Sequence, residues 1–139
     1  MIRVDLHLHT VFSGDAQLSP KQIVNELHAH LSIKGVAITD HDTLEGYFQG
    51  RKLAATHEDL IVIPGIEVAT PDGEVILLGV EEMPRYPLTV DSVVDFANEK
   101  AALIVLPHPY REMGGLGDSA EKIQAHAIEV INPSAAPAE

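Results

Sequence analysis

Short apolar runs alternate with amphipathic, helix-like segments along the whole chain, and this alternation limits the fold more than any other feature. The runs are IRVDLHLH (2–9), VAIT (36–39), LIVIPGIEV (60–68), EVILLGV (74–80), ALIVL (102–106) and AIEVI (127–131). Between them lie segments with helical signals. SPKQ (19–22) offers Ser19 as N-cap, Pro20 at the first helical position and Gln22 to close a capping box. Ile23, Val24, Leu27 and Leu31 then form one stripe, and Gly35 is expected to stop the helix. Residues 43–57 read as a helix weakened by two glycines, residues 89–101 as a helix capped by Thr89 or Asp91, and residues 118–126 as a short helix. TPDG (70–73) has turn chemistry and makes the fourth run a hairpin partner of the third. Near-continuous apolar strands alternating with helices predict a parallel α/β sheet, open or closed into a barrel.

The bulk numbers narrow the class. With 139 residues, one domain is expected, and 45% apolar content suffices for a packed core. No apolar run is long enough to span a bilayer, and the N-terminus lacks the apolar stretch of a signal peptide, so a cytoplasmic protein is the expectation. Cysteine is absent, which excludes disulfides and thiolate metal sites. A net charge of −12 disfavours extended, non-specific nucleic-acid binding. An anionic substrate remains compatible with it where bound cations invert the local field.

In α/β folds, ligands collect at the C-terminal ends of the strands. The first run ends in His7 and His9, the second in Asp40, His41 and Asp42, the third in Glu67 and the fifth in His108 and Arg111. Four strands thus deliver imidazoles or carboxylates to one rim, the donors that suit zinc, iron and manganese. On a strand, residues i and i+2 point the same way, so His7 and His9 can converge. Asp15, in the SGDA turn, is a further candidate ligand, and Arg111 a candidate for binding a substrate phosphate.

The same His-x-His spacing recurs at His28 and His30, inside the first helical segment. There, i and i+2 diverge by about 160° and cannot share an ion. These two are read as edge residues of an amphipathic helix, His57 as a helix-end dipole partner, and His126 as a residue on the side away from the rim.

Taken in order, DLHLHT, SGDA, ITDHDT, PGIEV, LPHPYR and IEVINP resemble the PHP (polymerase and histidinol phosphatase) superfamily, most of all its short TrpH-like metal-dependent phosphoesterases. The resemblance runs from residue 3 to about residue 135. It implies a distorted seven-stranded, TIM-like β/α barrel with two or three divalent ions (zinc, manganese or iron). His7, His9 and Glu67 would hold one ion, Glu67 and His108 a second, and Asp15 and His41 a third. Glu67, Asp40 and His41 are the expected catalytic groups. The reaction would be hydrolysis of a phosphate ester of a nucleotide, an oligonucleotide end or a small molecule.

Two departures stand out. The family's usual histidine after the PGIE motif is replaced by Ile76, so either the second ion is weaker or Glu74 substitutes. The family's late Asp-x-His does not occur before Glu139, which implies a barrel cut short in this chain. Two other readings stand beside the phosphoesterase: a degenerate PHP domain serving as a scaffold, and an amidohydrolase-like C–N hydrolase.

Overall fold

The computed structural model describes residues 1–132. Six strands form one sheet in sequence order: β1 (Arg3–Leu8), β2 (Ile33–Ile38), β3 (Ile61–Thr70), β4 (Gly73–Leu78), β5 (Leu103–Leu106) and β6 (Ala127–Ile128). The sheet curls into part of a barrel. Three helices connect the strands: α1 (Pro20–Ala29), α2 (Glu45–Ala54) and α3 (Val90–Glu99). Seven strands are not present among the described residues, and Pro133 to about residue 135, the tail of the family resemblance, lies outside them.

The sheet is mixed: the hairpin expected at TPDG is present and interrupts the otherwise parallel order. β1, β2 and β3 run parallel, β4 is antiparallel to both β3 and β5, and β5 and β6 are parallel again. The turn at residues 70–73 explains the reversal, because it joins β3 to β4 too tightly for a crossover helix. In register, Glu67 stands opposite Ile76 and Gly65 opposite Leu78.

The two faces of the sheet differ. On the outer face, Ile66, Val68, Val75, Leu77, Ile104 and Leu106 pack with Val93 and Ala97 of α3 in the largest core cluster. On the inner face, Ile76, Leu78 and Ala37 form a smaller cluster with Ile63 and Val105. A third cluster joins Ile23 and Leu27 of α1 to Val36, Ile38 and Tyr47. β1 is an edge strand, so its apolar face is only partly covered: Leu6 is 47% exposed while Leu8 packs against the α1 cluster. The "polar" face of β1 is the one that turns inward.

Capping signals hold at two helices. Ser19 and Gln22 form the reciprocal capping box of α1, and Thr89 rather than Asp91 caps α3, with Ser92 completing its box. Helix ends were less well marked. α1 stops at Ala29, six residues before Gly35, which lies inside β2; Leu31 is left 98% exposed rather than in the stripe. His30 takes the C-cap, and its Nδ1 accepts hydrogen bonds from the backbone N–H groups of Ser32 (3.1 Å) and Ile33 (2.9 Å). That local closure ends the helix without glycine. The segment 118–126 gives a 3₁₀ turn, Gly117–Lys122, instead of an α-helix.

In α2 the glycines are a packing requirement. A Cβ on Gly46 would lie 2.1 Å from Oδ2 of Asp40 and 2.6 Å from Oγ1 of Thr10. The helix can lie against these two residues only because no side chain intervenes.

Candidate metal centre

Glu67 is the centre of the site. It comes from the middle of β3, is fully buried, and faces inward beside Ile76. A backbone bridge ties His41 to it: the Glu67 N–H donates to the Asp40 carbonyl and the Asp42 N–H to the Glu67 carbonyl, each at 3.1 Å. Asp42 makes this turn with φ 52°, a conformation that aspartate tolerates better than most residues.

Four imidazoles close on this one carboxylate. Oε1 is 3.1 Å from Nε2 of His108. Oε2 is 2.8 Å from Nε2 of His9, 3.3 Å from Nε2 of His7 and 3.5 Å from Nδ1 of His41. The donors fall into two sets that share Glu67: His7 with His108, and His9 with His41, every donor atom of a set lying within 4.8 Å of the others. The set that the resemblance implies, His7 and His9 with Glu67, is also drawn together: the two Nε2 atoms lie 3.2 Å apart and both face Oε2.

The two β1 histidines are held from behind in the same way. Nδ1 of His7 meets Oε1 of Glu129 at 3.1 Å, and Nδ1 of His9 meets Oδ2 of Asp15 at 2.9 Å. Each ring therefore has one nitrogen aimed at Glu67 and the other engaged by a carboxylate. This is the arrangement that fixes ring orientation and basicity in metal-ligating histidines. Glu129 in turn accepts from the backbone N–H of His108 (2.9 Å) and from Nδ2 of Asn132 (2.8 Å). Sequence reasoning passed over Glu129, although it stands in the quoted IEVINP motif: the sixth strand was expected over 127–131, but β6 ends at Ile128 and leaves Glu129 just beyond it.

The cavity at this rim has a volume of about 290 Å³ and is lined by His7, His9, Asp15, His41, Glu67, His108, Arg111 and Asn132. Seven of the eight candidates drawn from the sequence thus meet in one place. The eighth, Asp40, does not reach the cavity. It is fully buried, and its two oxygens accept from the backbone N–H and the hydroxyl of Thr10. It holds the ends of β1 and β2 together from below and does not face the reacting volume. Arg111 lines the cavity but also donates through Nη2 to Oε2 of Glu74 (2.9 Å) and through Nε to the Met113 carbonyl. Glu74 stands 3.5 Å from Nε2 of His108 and 3.9 Å from Nδ1 of His41. The inner-face position of the family's missing histidine is filled by Ile76, 1% exposed, while Glu74, two residues earlier in β4, reaches the same cluster.

The electrostatics follow from this geometry. Burial pushes the Glu67 carboxyl up, but hydrogen bonds from His108, His7 and His9 override it and hold the group far below the usual carboxylate range. Burial lowers His9, yet Glu67 and Asp15 outweigh that and raise it from 6.5 to about 9. His7 is raised too, against its burial, by Glu67 and Glu129. A buried carboxylate whose charge is balanced by protons on surrounding imidazoles is a place where a dication can replace those protons. The nitrogen and oxygen donors are those of zinc, manganese or iron. The residues present therefore fit a divalent metal centre.

Comparison with known proteins gives this geometry a lineage. The PHP domain family matches residues 5–128 of the chain. The chain belongs to the PHP domain family. An uncharacterized protein of Methanocaldococcus jannaschii is 31% identical over 142 residues, covering 94% of this chain and 82% of the relative. A second uncharacterized protein of that organism is 36% identical over 110 residues, covering 78% of this chain and 40% of the relative. Among solved structures, this PHP domain is similar to part of a two-domain Bacteroides vulgatus protein described as containing a predicted PHP-like metal-dependent phosphoesterase. That match has a TM-score of 0.66 at 19% identity over 77% of this chain and 35% of the other. It is equally similar in fold to an amidohydrolase from Chromobacterium violaceum, solved with bound sulfate and no metal: TM-score 0.67, 14% identity, 90% of this chain and 75% of the other. At those identities the two structures speak for the fold alone. Among the described residues, no helix of this PHP domain is long and apolar enough to cross a membrane.

Proposed function

We propose that this PHP domain is a metal-dependent phosphoesterase, and that it hydrolyses the phosphate ester of a small molecule or of a nucleotide. The observation that carries this reading is Glu67, one buried carboxylate that meets His108 through Oε1 and His7, His9 and His41 through Oε2 within one cavity. When bound, two or three divalent ions (zinc, manganese or iron) would supply Lewis acidity and a nucleophile drawn from water at neutral pH.

The chain's own residues divide the remaining work. Glu67, His7 and His108 would hold one ion, with Glu74 taking the place of the family histidine that Ile76 displaces. Glu67, His9 and His41 would hold another. Asp15 and Glu129 orient the β1 imidazoles, and Asp40 fixes the strand ends that present them. Arg111 is the cation at the cavity edge and would meet substrate phosphate, exchanging its bond to Glu74 for one to the anion. The cavity, at about 290 Å³, has room for a phosphoryl group and part of its ester, while the rest of the substrate would lie outside it.

The test is a panel of phosphate monoesters, nucleotides, oligonucleotide ends and amides, assayed with manganese, zinc or iron and again after chelation. Phosphate release that disappears with chelator and returns with metal supports the reading. Turnover of amides but not of esters would replace it with C–N hydrolysis. Tight metal binding without turnover of any substrate, in a chain that remains folded, would leave the domain a scaffold.

A further inference from the structure

A second group of metal-type donors lies at the opposite end of the strands from the cavity. His28 is in the last turn of α1, while His57 and Asp59 lie in the turn between α2 and β3. The rings of His28 and His57 pack with centroids 4.4 Å apart and planes tilted by 44°. One donor atom from each of the three residues lies within 4.8 Å of the other two. None of the three touches the rim site or has a part in the proposed hydrolysis.

The backbone around them is fixed. The His57 N–H donates to the Ala54 carbonyl at 2.9 Å, and the His57 carbonyl accepts from Leu60. Lys34 of β2 holds the other side: its Nζ donates to the carbonyls of His28 (3.0 Å) and Leu27 (3.3 Å) and pairs with Oδ2 of Asp59 at 3.0 Å. The backbone bonds hold the His57 turn, and Lys34 holds both the end of α1 and the Asp59 carboxylate.

We propose that His28, His57 and Asp59 form a second, peripheral site for a zinc-type divalent cation, tying the end of α1 to the turn before β3. Two nitrogens and one carboxylate oxygen match the donor preference of zinc and leave a fourth, outward position for water. Bonds of about 2.0–2.1 Å place tetrahedral donors about 3.4 Å apart, so exposed side chains need to close in by little more than an ångström. Lys34 competes for this site, because its ammonium holds the Asp59 carboxylate that a cation would take. His30 lies just past α1 rather than inside it, with its Nδ1 taken by the Ser32 and Ile33 N–H groups, so the partner of His28 comes from another element.

The experiment is a zinc titration of the full chain, with stoichiometry read by calorimetry and equilibrium dialysis at pH 7.5. The parent protein should take up one more zinc per chain than His28→Ala/His57→Ala, and the hydrolytic rate of that variant should be unchanged. Asp59→Asn should weaken the additional ion without removing it. Lys34→Met removes a unit positive charge about 3 Å from a ligand and should tighten that ion on the order of fivefold. This variant also loses the bonds to the His28 and Leu27 carbonyls, so its melting temperature is compared with the parent's before titration. Equal stoichiometry in parent and double variant would overturn the proposal, as would a Lys34→Met titration superimposable on that of the parent.

Discussion

Two His-x-His pairs in one chain have opposite fates. On β1, His7 and His9 project to the same side, and both reach Oε2 of Glu67. At the end of α1, His28 turns toward His57 while His30 folds back to accept the Ser32 and Ile33 N–H groups. The spacing is identical; the backbone period decides what it means. A strand end brings both rings to one carboxylate, and a helix end turns the spacing into two unrelated jobs.

The contrast can be tested by mutation. Glu67→Gln should have the largest effect, because one substitution weakens both donor sets. We expect more than a 100-fold loss of hydrolysis, above the roughly 10–100-fold that loss of an orienting partner costs, and fewer ions by elemental analysis. Glu129→Gln and Asp15→Asn should each fall within that range, since Glu129 stands behind the His7 ring and Asp15 behind those of His9 and His41, and neither touches Glu67. Either variant matching Glu67→Gln would show that the carboxylate is itself a ligand.

Much of this was visible in the residues. The four strand ends could be placed from period and turn chemistry, and they put His7, His9, His41, Glu67 and His108 in one cavity. What could not be read was what stands behind the ligands. Glu129 is 122 residues from His7 in sequence, and nothing local marks it as that ring's partner. Asp40 stands at a strand end among the expected catalytic groups, but its engagement by Thr10 depends on how β1 and β2 pair. Gly46 read as a weak point in a helix, and only the packing shows which atoms a side chain there would strike. The end of α1 was misplaced because a side-chain cap from His30 does the work usually expected of glycine.

A smaller effect concerns pH. In the metal-free chain His9 has a folded pKa of about 9 against an ordinary 6.5. A raised value means stabilisation that is complete below about pH 6.5 and fades as pH climbs through about 9. Thermal melts of the chelated protein should fall across that window, and His9→Gln should flatten the fall. Smallest of all, His30→Ala should cost roughly 0.5–1 kcal/mol in denaturant unfolding, the worth of an exposed cap, with metal content unchanged. Loss of ions in that variant would mean that the two pairs are not as independent as the fold makes them.

The Thr10–Asp40 pair has a consequence for ion choice. Thr10 directly follows His9 and Asp40 directly precedes His41, so two buried hydrogen bonds set the distance between neighbouring donors before any ion arrives. We expect such a frame to favour ions that match its span over larger ones, which demand more oxygen donors at longer range. Loosening it, as Asp40→Asn would, should therefore blunt discrimination, admitting calcium-sized ions that bind without supporting turnover.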